Sequence, residues 1–155
     1  MDFARGWYVD DVTAGDEERA LRVFEVVRTA ARQLLQADGV TFVLRDGDHC
    51  AYVAEDAVGP LWKGQRFPLS QCVSGWVIVH NRVAVIPDIY NDIRVLLEAY
   101  RATFVQSMVM VPVGRPPFGA IGVYWAKYHE ATRDEIEMLA TIADSAVIQF
   151  AQDRG

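Results

Sequence analysis

Hydrophobic positions along this chain switch repeatedly between helical and strand periods. Leu21, Phe24, Val27, Ala31 and Leu34 recur at helical spacing behind Asp16, Glu17 and Glu18, whose charges suit a helix's first turn. Residues 1–15 read as an irregular lead-in, and Ala37, Asp38 and Gly39 stop the helix. A β-branched and aromatic run follows over 40–44, then an Asp46-Gly47-Asp48 hairpin signal and a returning strand over 49–55. Gly59, Pro60, Gly64 and Pro68 make 56–71 irregular. Residues 70–81 predict a short helix with Val73, Trp76, Val77 and His80 on one face, and 83–86 a short strand ended by Pro87. Residues 88–106 read as a loop with a short helix. Strands over 107–113 and 118–126 flank Gly114-Arg115-Pro116-Pro117. Thr132 and Glu135 form a capping box before a last helix whose face is Ile136, Leu139, Ala143, Val147 and Phe150.

This order predicts an α+β fold, one domain over 1–155 with its core over about 18–150. An antiparallel sheet of five or six strands needs cover on both apolar faces. The two long terminal helices can pack together on one face, which leaves the connections 56–82 and 88–106 for the other. Short helices and loops leave concave space more readily than long helices do, so a ligand pocket is expected under the middle of the chain.

Composition narrows the partners. The chain has 155 residues, 52% of them hydrophobic, enough for one packed domain and too apolar for disorder. Its net charge of -6, with Lys and Arg scattered, disfavours nucleic acid. No apolar run is long enough for a membrane span, and the acidic N-terminus lacks signal-peptide order. Two cysteines, Cys50 and Cys72, make no disulfide framework and fit a cytoplasmic, reducing setting.

The stretches SGWVIVHNRVAVIPDIYND (74–92), FVQSMVMVPV (104–113), FGAIGVYWA (118–126) and TRDEIEMLATIADSAV (132–147), preceded by 38–72, together resemble GAF domains, particularly those of bacterial sensor histidine kinases. That resemblance covers about 18–150. It implies a PAS-related antiparallel sheet of about six strands, terminal helices on one face and short helices and loops over the other. A regulatory or sensory role in signal transduction would follow, through an unidentified small molecule, through homodimerisation by the terminal helices, or both. Any kinase activity would belong to residues outside these 155. The Cys-His pair to which phytochrome-like members attach a bilin would fall near Val95 and Leu96, and neither matches, so no covalent bilin is expected. Asp134-Glu135 resembles only the tail of the cyclic-nucleotide signature, in a capping context. The family's free methionine sulfoxide reductase needs central cysteines. Cys72 lies nearby, but Ser74 is closer to the expected position and the partner cysteines are missing.

Candidate pocket residues come from the covering segments and the strand beneath them. Met108 and Met110 alternate against Val109, Val111 and Val113, so they form either ordinary core or a pocket floor. Trp62, Phe67, Trp76, Tyr90 and Tyr100 either bury area or line a ligand. Asp88 is a turn residue or a polar anchor. Tyr124 and Trp125 point to opposite strand faces, so at most one can face the pocket, and Trp125 is the candidate. His49, Cys50, His80 and His129 show no metal-ligand spacing, and no nucleophile elbow, P-loop or dinucleotide motif occurs, so neither a metal nor an enzyme is expected. Two alternatives stand beside the sensor: a ligand-free dimerisation module, and a thiol redox sensor or reductase working through Cys72 at a helix start. Small residues such as Ala30, Ala140 and Ala146 would serve the dimer.

Overall fold

A computed structural model describes residues 12–152, so the irregular lead-in falls largely outside the described residues. Helix α1 runs Ala14–Leu35, capped by Thr13, with Asp16 and Glu17 in its first turn as expected. The Thr13 side chain accepts from the Asp16 amide, and the Asp16 carboxylate accepts from the Thr13 amide. Strands β1 (Gly39–Asp46) and β2 (His49–Ala57) form the first hairpin, with Asp46 opposite His49 and Gly47 at φ 60° in the turn. A short strand β3 (Arg66–Pro68) lies inside the stretch read as irregular. It was hidden because three residues with a proline carry no period; pairing with β2 makes it a strand.

A 3-10 turn over Leu69–Gln71 leads into α2 (Val73–His80), then β4 (Ala84–Ile86) and a one-turn helix α3 (Leu97–Tyr100). Strands β5 (Ser107–Val113) and β6 (Gly119–Trp125) form the second hairpin, and α4 (Arg133–Gln152) closes the fold. The Thr132–Glu135 capping box is present: each residue's amide donates to the other's side chain. All six strands pair antiparallel in the order β3-β2-β1-β6-β5-β4.

Strand alternation sorts the interior into two layers. Val40, Phe42, Leu44, Val109, Val111, Val113, Ile121, Val123 and Trp125 face α1 and α4. Val43, Ala84, Ile86, Met108, Met110, Ala120 and Tyr124 face α2 and the irregular cover. In β2 an extra residue, Val53, breaks the register between Phe42 and Val43, so Cys50 and Tyr52 face the cover while Ala54 faces the helices.

The helices show where spacing alone misleads. In α1 the buried stripe is Ala20, Val23, Phe24, Val27, Ala31 and Leu35, leaving Leu21 and Leu34 exposed. In α4 it is Leu139, Ala143, Ala146 and Phe150, with Ile136 and Val147 at its margins. Ala146 therefore packs inside this protomer. Arg28 and Arg32 of α1 hold Asp56 of β2 at 2.7 and 2.8 Å, and Arg19 lies 4.1 Å over the Phe150 ring, joining α1 to the sheet and to α4. No helix among the described residues is long and apolar enough to cross a membrane.

Candidate functional site

The space between sheet and cover, where the pocket was expected, is closed. Trp62 stands over the sheet at the centre of an aromatic cluster, with ring centroids 4.6 Å from Tyr100, 5.4 Å from Tyr124 and 5.5 Å from Tyr52. Phe67 meets Tyr52 edge-on at 5.5 Å. Met108 and Met110 lie fully buried beneath, and the Tyr100 hydroxyl donates to Met108 Sδ at 3.6 Å. Only about 10 Å³ stays empty among Tyr52, Trp62, Phe67, Cys72, Leu96 and Tyr100. Polar atoms in this layer are matched: Trp62 Nε1 donates to the Ala99 carbonyl at 2.7 Å, Thr41 and Tyr124 share a bond of 2.8 Å, and Tyr52 and Ser74 one of 3.0 Å. Burial pushes the Tyr52, Tyr100 and Tyr124 phenols up, so they stay neutral donors.

One face of α2 opens instead on an outer groove of about 520 Å³. Leu69, Cys72 and Gly75 line it from one side, Trp76 and His80 from the helix, and residues 93–96 from the other. Its lip is apolar and exposed at Val79 and Ile93, the latter fully open to solvent. The Arg94 guanidinium lies 4.4 Å over the Trp76 ring, and the His80 ring stacks on the same indole at 4.8 Å. Asp92 holds Arg94 in a two-pronged pair at 2.9 and 2.6 Å, and that bond keeps the Asp92 carboxyl below its usual range. The groove thus has an apolar wall, an indole that already carries Arg94 and His80, and a guanidinium held in place by Asp92.

Cys72 joins the groove to the closed layer, lining both. It is the N-cap of α2: its Sγ accepts from the Gly75 amide at 3.4 Å, lies 3.3 Å from Ser74 Oγ and reaches the Pro68 carbonyl at 3.4 Å. The neighbouring Cys50 thiol, with the Ser74 hydroxyl and the Gly75 and Ser74 amides, lowers the Cys72 thiol to about 6, while Cys72 and burial push the Cys50 thiol up.

The sequence candidates therefore separate. Trp62, Phe67, Tyr100, Met108 and Met110 come together, but as the filling of the inner layer. Trp76 lines the outer groove. Trp125 is on the opposite face: it packs under α1, and its Nε1 donates to the Leu35 carbonyl at 3.2 Å. Tyr124 is the residue facing the cover, because it pairs with Met108 and shares that strand face. Asp88 is a cap, accepting from the Tyr90 amide, Asn91 Nδ2 and Gln106 Nε2, and Tyr90 is 57% exposed, away from both spaces. On α2, His80 is exposed and Ile78 takes the buried place assigned to it. Arg94 and Ile93 lie in a stretch without period and gave no signal. Among the described residues no three His, Cys, Asp or Glu side chains gather as a metal site.

A GAF domain family model matches residues 21–149. The chain belongs to the GAF domain family. Solved structures carry the same fold at low identity. The GAF domain of PixJ from Thermosynechococcus elongatus is 19% identical, with a TM-score of 0.74 over 91% of this chain and 90% of that one. The GAF domain of an Acinetobacter phosphoenolpyruvate-protein phosphotransferase is 13% identical, with a TM-score of 0.68 over 92% and 96%. A free methionine-R-sulfoxide reductase from Neisseria meningitidis is 19% identical, with a TM-score of 0.71 over 85% and 79%. Among curated proteins, none matches this chain. GAF neighbours thus include photoreceptors and an enzyme, and the likeness carries the fold alone.

Proposed function

We propose that this GAF domain is a non-catalytic sensory module that takes a small, largely apolar ligand in the groove between α2 and residues 93–96. The observation that carries this is the contrast between the two spaces: about 520 Å³ open beside Trp76, and about 10 Å³ left in the inner layer. An apolar or aromatic body would lie against Trp76 and Val79, and an acidic group would meet Arg94. Binding would draw α2 toward residues 93–96, and α2 packs on β5 and β6, the strands whose other face carries α4. A ligand would change output only through unequal affinity for the two arrangements. A signalling pathway such as that of a histidine kinase is the setting we propose.

Screening a fragment library by amide chemical shifts tests the site. Shifts centred on Cys72, Trp76 and Arg94, lost in Trp76→Ala, are expected; shifts gathered elsewhere, or none, would remove the groove from consideration. The closed inner layer favours a second reading, a ligand-free dimerisation module. Its surface would be the outer sides of α1 and α4, where Leu21, Val26, Leu34 and Ile148 are exposed among polar neighbours. Light scattering at high protein concentration decides it: a dimer is expected, and a monomer would sink the interface.

A further inference from the structure

The connection from β4 to β5 covers the inner layer without adding a strand to the sheet. Its two ends are tied together. The Ile89 amide donates to the Gln106 carbonyl at 3.1 Å, and Gln106 Nε2 donates to the Asp88 carboxylate at 3.3 Å. The Gln106 amide in turn donates to the Trp125 carbonyl of β6 at 2.8 Å, and Ile89 and Val105 are buried. Between these ends the backbone satisfies itself. Among the described residues, the amides of Asn91, Val95, Ala99, Arg101 and Thr103 all donate to carbonyls within 88–100. A compact loop of this kind, with its ends close, can move as a unit and keep its own hydrogen bonds.

Side chains hold its middle to the rest of the protein. Arg94, aimed by Asp92, lies over Trp76 of α2. Trp62 Nε1 donates to the Ala99 carbonyl, and the Tyr100 hydroxyl donates to Met108 Sδ. Val95 is buried, Leu96 borders both the groove and the inner layer, and Ala99 and Tyr100 line the inner layer. We propose that residues 89–105 are a lid over the inner layer, hinged at Asp88 and Gln106 and latched to α2 by Arg94 on Trp76. The buried contacts make the closed state the populated one. The latch lies at partly exposed surface, where a cation over an indole shifts an opening equilibrium about fivefold. Lifting the lid draws Leu96 and Tyr100 away from Trp62 and Cys72, so that groove and inner layer become one space. The lid stands on its own contacts and needs no ligand, so its failure would leave the fragment test of the groove unaffected.

Two indole N–H groups of the same molecule provide the test. That of Trp62 is bonded to the lid, at Ala99, and that of Trp125 to Leu35 on the opposite face of the sheet. Their hydrogen exchange, followed by NMR on the whole chain, separates lid opening from global unfolding. In the unsubstituted chain Trp62 should exchange about tenfold faster than Trp125, or more. Arg94→Ala should speed the Trp62 exchange about fivefold further and leave that of Trp125 as it was. Trp76→Leu should do the same, and the double variant should add nothing, because both substitutions remove one contact. Equal rates at the two indoles, a Trp62 rate unmoved by Arg94→Ala, equal acceleration at both, or additive effects in the double variant would each overturn the proposal. Arg94 is partly exposed and lies outside the sheet, so the fold does not depend on it.

Discussion

Gly75 shows how closely a single residue fixes the candidate site. A Cβ built there would lie 1.8 Å from the Leu69 carbonyl oxygen, inside backbone that cannot swing away. Gly75→Ala must push the start of α2 off the preceding turn, and the expected loss is about 3 kcal/mol, read by urea unfolding. The amide of the same glycine holds Cys72 Sγ, so the two residues act together. Ser74 Oγ of α2 lies 3.3 Å from that sulfur, and Tyr52 of β2 and Tyr100 of α3 line the same small space. With its thiol lowered to about 6, Cys72 should alkylate with iodoacetamide along a pH profile whose midpoint lies near there. Cys50→Ala removes the largest cause of the lowering, so its midpoint should move upward. A profile that only begins to rise above pH 8 in the unsubstituted chain would contradict this. The residue scale was half legible. Cys72 at a helix start could be singled out from order alone, whereas Cys50 beside it required the β2 bulge and the pairing of β3.

At the scale of elements, the cover is tied down by carboxylates more than by regular structure. Glu55 of β2 accepts the amides of Leu61, Trp62 and Lys63 at 3.0, 2.8 and 2.8 Å, which seats Trp62 over the sheet. Glu55→Ala strands those donors and should cost about 2 kcal/mol. Trp62 should then redden in fluorescence as water reaches it, while far-ultraviolet dichroism stays near that of the unsubstituted chain. An unchanged emission spectrum would mean that the tyrosines alone hold the indole. Elements with a strong period were readable: α1, both hairpins, α2 and α4 lie within a few residues of their expected places. The side chains that pack were less so. Leu21 and Leu34 carry the helical spacing but flank the stripe, because contact with α4 and the sheet selects Ala20, Val23 and Leu35.

For the molecule as a whole, the inner layer is where the family's pocket expectation and this chain part. Met108→Ala should remove about 3 kcal/mol and leave the Tyr100 hydroxyl without its sulfur acceptor. Because the site is apolar and enclosed, the gap should stay dry and take a small aromatic such as benzene. Benzene should raise the variant's unfolding temperature and not that of the unsubstituted chain; equal shifts in both would mean that the inner layer is already open. The order of strands and helices, the alternation of Met108 and Met110 against the valines, and the capping box of α4 were determined by sequence, since each depends on neighbours a few residues apart. Strand register, the β2 bulge and the filling of the layer depend on residues far apart in the chain. Only the tertiary structure could decide that Tyr124 and not Trp125 faces the cover, and that the inner space is closed while a groove stays open beside α2.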